Sequence, residues 1–74
     1  MIKYFLCYID GDYYTIPEFE FIFAESPKDA LEKSIKKYGK GGDKEYLIFN
    51  SCCEYHRNKE PLIEMRWKRR YKIP

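Results

Sequence analysis

The sequence predicts an α+β fold: a single small domain over residues 1–74, with an antiparallel sheet of about four strands and one helix packed on one face. Three observations carry this. Apolar and polar residues alternate at period two around residues 18–24 and again over 63–73, as in half-buried strands. Residues 27–38 instead carry apolar positions at helical spacing, between a Ser-Pro start and a Gly stop. Finally, 74 residues make one domain at most, and one helix cannot cover much, so the natural solution is a sheet with that helix laid across it.

The elements follow in order. Ile2 to Ile9 reads as a strand with apolar residues on both faces, which predicts a central position in the sheet. Asp10-Gly11-Asp12 is a turn signal. The stretch from Tyr13 to Ala24 is the second strand, and Pro17 within it marks a strand start, a bulge or an edge, because proline cannot donate to a ladder. Phe19, Phe21 and Phe23 alternate with Glu18, Glu20 and Ile22. That pattern predicts a buried phenylalanine face and a mostly acidic outer face. Ser26 then suits a helix N-cap, Pro27 the first helical position and Asp29 the first turn. Ala30, Leu31, Ser34, Ile35 and Tyr38 form the apolar stripe, and Gly39 ends the helix. Glu45 to Phe49 is a short strand, and 50–61 a polar loop with one local turn. In the last segment Ile63, Met65, Trp67, Tyr71 and Ile73 alternate with Glu64, Arg66, Lys68, Arg70 and Lys72. This is a strand with one apolar and one basic side.

Composition narrows the class. Eight Tyr, five Phe and one Trp supply large apolar area for so short a chain. The domain is therefore expected to fold unaided, or as a homodimer that hides surplus aromatic surface. The net charge is +2, but residues 1–32 carry seven acids and two bases, and residues 33–74 twelve bases and five acids. Such asymmetry points to an electrostatic partner face, or to halves that pair with each other. The run Met1 to Ile9 is too short to span a bilayer and lacks a leader's features, so a cytoplasmic location without membrane contact is expected. Three cysteines, an odd number, fit free thiols better than a disulfide framework.

Four constellations could carry chemistry. Arg66, Lys68, Arg70 and Lys72 would project from one sheet face about 6.6–7 Å apart, a spacing that can follow a phosphate backbone or meet an acidic partner. The same residues on an edge strand would also block unwanted pairing. Cys52, Cys53 and His56, with Cys7, have a weak resemblance to zinc-ligand spacing, but there is no C-x-x-C pair and no second His. The same Cys and His could form a nucleophilic pair, though nothing orients it. The acid pairs Glu18 with Glu20 and Asp10 with Asp12 are explained by strand alternation and turn chemistry. No catalytic residue, metal site, cofactor or small-molecule substrate is expected.

The run Asp10-Gly11-Asp12-Tyr13-Tyr14-Thr15-Ile16-Pro17-Glu18, followed by a strand and Ser26-Pro27-Lys28-Asp29-Ala30-Leu31-Glu32-Lys33, resembles the N-terminal domain of HicB-like antitoxins. About a third of the chain carries the resemblance. It implies a strand-rich α+β domain of degenerate RNase H-like character with a toxin-binding role. Phe19-Glu20-Phe21 stands where that family carries a Pro-Gly-Cys turn. The element order is also similar, more loosely, to other small strand-strand-helix-strand proteins such as the archaeal ribosomal protein of the LX type. The expected function is a small non-enzymatic binding or accessory protein whose partner is another protein or a second copy of itself. The alternative is a nucleic-acid binder using the basic C-terminal strand.

Overall fold

A computed structural model describes residues 1–11, 16–40, 42–57 and 59–67. In chain order it contains β1 (Ile2–Asp10), β2 (Glu18–Ala24), α1 (Pro27–Tyr38), β3 (Lys44–Phe49), α2 (Cys52–His56) and β4 (Ile63–Arg66). The four strands form one antiparallel sheet in the order β2-β1-β3-β4. β1 is thus internal, as its two apolar faces predict. β2, preceded by Pro17, lies at one edge and β4 at the other.

α1 forms where its local signals place it. The Ser26 hydroxyl accepts from the Asp29 N–H at 3.1 Å, and the Asp29 carboxylate reaches back to the Glu25 N–H at 3.0 Å. Each bond satisfies a donor that would otherwise be orphaned. That backbone bond, aided by Lys33, holds the Asp29 carboxyl below the usual carboxylate range. At the other end the chain turns at Gly39, whose φ of 98° favours glycine; its N–H donates to Ile35 O at 2.7 Å.

The helix lies across one face of the sheet. Its small residues Ala30 and Ser34 are fully buried, so the backbone approaches the strands closely, and Leu31 is buried beside them. Below sit Tyr4, Leu6 and Tyr8 of β1, Ala24 of β2, and Tyr46 and Ile48 of β3, with Ile22, Ile35, Tyr38, Ile63 and Trp67 packed around them. Tyr8 stacks on both Tyr38, at 4.2 Å between ring centroids, and Tyr46, at 5.1 Å. The Tyr46 hydroxyl donates to the Gly39 carbonyl, tying the core to the helix end.

The opposite face is covered less. Phe5, Cys7 and Phe49 form a second, smaller buried cluster under α2. The stretch read as a loop with one turn thus contains a five-residue helix, capped by Ser51 accepting from the Glu54 N–H at 3.3 Å. The polar composition of 50–61 hides it, because its only inward ring is Tyr55.

One expectation is overturned. The alternation in β2 predicts Phe19, Phe21 and Phe23 buried, yet they are 45%, 50% and 55% exposed. The side chains that meet the helix side are Ile22 and Ala24. Only two residues, Glu25 and Ser26, separate β2 from α1. The helix covers the face onto which Ala24 points, and the phenylalanines point the other way.

Candidate functional site

Of the basic stripe, Arg66 is described; Lys68, Arg70 and Lys72 lie outside the described residues. Arg66 ends edge strand β4 on the face opposite α1, directly across from Glu45. Its Nε sits 2.8 Å from Glu45 Oε1, and a second guanidinium nitrogen 3.0 Å from Glu64 Oε2. Two carboxylates already occupy this cation. Trp67 goes to the helix side as expected, meeting Tyr46 edge-on at 5.9 Å.

The opposed charge of the two halves is partly met within the fold. Lys37 pairs with Glu20 at 2.8 Å, Lys33 with Asp29 at 3.4 Å and Lys44 with Asp10 at 3.7 Å. Each pair joins a base of the second half to an acid of the first.

The cysteines and histidine differ in exposure: Cys7 is buried, Cys52 half-buried, and Cys53 and His56 exposed. Cys7 is only 1% exposed, and burial, with the Glu45 charge nearby, pushes its thiol up to about 11. A thiol held protonated is a poor nucleophile and a poor metal ligand. Cys52 packs against the Cys7 cluster, while Cys53 is exposed. Among the described residues no three His, Cys, Asp or Glu side chains gather into a group that could hold a metal ion. A surface recess of about 270 Å³ lies by Tyr8, Asp10, Ile16 and Glu18. Burial, with the acceptor Asp10 beside it, pushes the Tyr8 phenol up to about 12, so that hydroxyl stays protonated. No helix among the described residues is long and apolar enough to cross a membrane.

The outstanding feature is the phenylalanine row of β2. Period-two geometry sets the three side chains on one face, about 6.8 Å apart. The inner ends of the row are anchored. Phe5 stacks on Phe19 at 5.5 Å and 13° and meets Phe21 at 5.5 Å. Tyr55 from α2 meets Phe5, Phe19 and Phe49 at 5.9, 5.0 and 5.4 Å. Phe23, at the far end of the row, is the most exposed of the three. The Lys3 ammonium lies over the Phe21 ring at 4.1 Å. Aromatic rings that are anchored on one side and open on the other present rigid apolar area at little cost in side-chain entropy. Contiguous exposed apolar surface of this kind marks interaction sites on soluble domains. The signal in the sequence was the surplus itself: β1 is apolar on both faces, and a single twelve-residue helix covers one of them.

No family model matches this chain, and no curated protein or solved structure matches it either.

Proposed function

We propose that this chain is a non-enzymatic protein-interaction module that works through the open face of its sheet. The observation that carries this reading is the row of three half-exposed phenylalanines, Phe19, Phe21 and Phe23, on edge strand β2. The protonated Cys7 thiol and the paired state of Arg66 favour it over a catalytic or phosphate-binding use of those residues. An antitoxin-like role is one form of the same reading, with the partner then a toxin whose surface accepts the phenylalanine row.

The test compares the whole chain with a Phe19→Ser/Phe21→Ser/Phe23→Ser variant of unchanged circular dichroism. Partner capture should fall at least tenfold in the variant; equal capture would sink the reading. A parallel titration with single-stranded oligonucleotide at two salt concentrations addresses the alternative. Binding with a log–log salt slope of about −0.7 per phosphate contacted, lost on replacing Arg66, Lys68, Arg70 and Lys72 with Ala and kept in the phenylalanine variant, would move the function to the basic segment.

A further inference from the structure

We infer that the occupant of this edge is a second copy of the chain, joined β2 to β2 in antiparallel register about a two-fold axis at Phe21. The inference rests on the interaction-module reading and names its partner.

The register argument comes from the strand itself. Among the described residues β2 is an edge strand, paired on one side with β1. A two-fold axis normal to the sheet at Phe21 sets Phe21 opposite its own copy and Phe19 opposite Phe23. It also sets Glu20 opposite Ile22 and Glu18 opposite Ala24. Every phenylalanine then meets a phenylalanine, and no carboxylate faces another. Cross-strand aromatic pairs are favourable, and like charges directly opposite are not. The adjacent two-fold registers are worse. An axis at Glu20 places that carboxylate against itself, and an axis at Ile22 places Phe19 against Glu25. On the helix side Glu20 is paired with Lys37 at 2.8 Å, and Glu18 falls opposite Ala24 at the end of the seam. The phenylalanines are placed symmetrically about Phe21 while each acidic position falls opposite an apolar one, which is what a self-complementary edge needs.

Lys33 Nζ bonds the Phe23 carbonyl at 3.0 Å and competes with the outermost ladder bond. The dimer is therefore reversible and concentration-dependent.

The experiment is site-directed cross-linking in the full chain carrying Cys52→Ser and Cys53→Ser, with buried Cys7 left in place. Residues opposite each other in an antiparallel pair have Cα atoms about 4.5–5.5 Å apart, inside the range a disulfide spans. Phe21→Cys should form a covalent dimer on mild oxidation at least tenfold faster than Phe19→Cys alone. A mixture of Phe19→Cys and Phe23→Cys chains should cross-link as fast as Phe21→Cys. Sedimentation of the chain without added cysteines should show a dimer that Phe21→Glu dissociates. Equal rates at all three positions, or a monomer at every concentration, would overturn the self-pairing. If the triple serine variant still loses capture of another protein, the module reading survives that failure. If it loses nothing, both fall.

Discussion

On the helix-covered face of the sheet, Leu6, Tyr46 and Ile48 are fully buried, whereas on the opposite face of the same sheet Phe19, Phe21 and Phe23 keep about half their surface in water. β1 is apolar toward both sides, and the phenylalanines are no less apolar than the side chains buried under α1. The difference arises from what lies above each face. α1 has twelve residues and brings Ala30, Leu31 and Ser34 down onto the strands; α2 has five and brings down Tyr55. Burial in so small a domain follows the available cover rather than the hydrophobicity of the residue beneath it. The covered face holds most of the buried core, and the open one leaves its phenylalanines half in water.

The sharpest way to break this contrast is to hollow the covered face. Leu6→Ala removes a fully buried side chain and should destabilise the fold by about 2–5 kcal/mol in urea titration. A loss under about 1 kcal/mol would mean that the helix-side core does not dominate.

Alkaline pH probes the second cluster. The Cys7 thiol ionises near 9.0 when exposed and near about 11 in the fold. Between those values the unfolded chain gives up a proton that the folded chain keeps. Stability from this group is therefore intact below pH 9 and falls as pH rises toward 11, by at most about 1.4 kcal/mol per pH unit. Tyr8, raised from 10.0 to about 12, acts with the same sign one unit higher. Cys7→Ala should flatten the decline between pH 9 and 10 in denaturation midpoints, and an unchanged slope would remove Cys7 as its source.

The two helix caps compare the helices directly. Ser26→Ala should cost about 1 kcal/mol of global stability, because α1 is part of the core. Ser51→Ala should instead raise amide exchange within 52–56 and leave the global midpoint nearly unchanged. Equal global losses would show that α2 is as integral as α1.

A small effect is likewise expected at the open face. Phe21→Ser in dilute, monomeric protein should change stability by under about 1 kcal/mol, since half of the ring is already in water. A loss as large as that of Leu6→Ala would mean that the phenylalanine row is structural rather than a surface for partners.

Much of the fold was legible. The bounds of α1, its capping by Ser26 and its stop at Gly39 rest on contacts spanning four residues or fewer, which a sequence displays directly. The candidate site was less so. Arg66 stood out by its alternation with apolar neighbours, but its two ion pairs depend on Glu45 of β3 standing directly across from it and on Glu64 two residues before it. The phenylalanine row stood out as well, yet facing the wrong way, because alternation separates two faces without saying which is inside.

The sequence alone therefore determined the four strands, the main helix α1 and the central place of β1, but not α2. These depend on local periodicity, turn chemistry and caps. Only the tertiary structure decided which face α1 covers, that β2 and β4 are the edges, and that Phe19, Phe21 and Phe23 meet solvent. Those outcomes depend on the short link that sets α1 on the Ala24 side and on antiparallel pairing between distant strands.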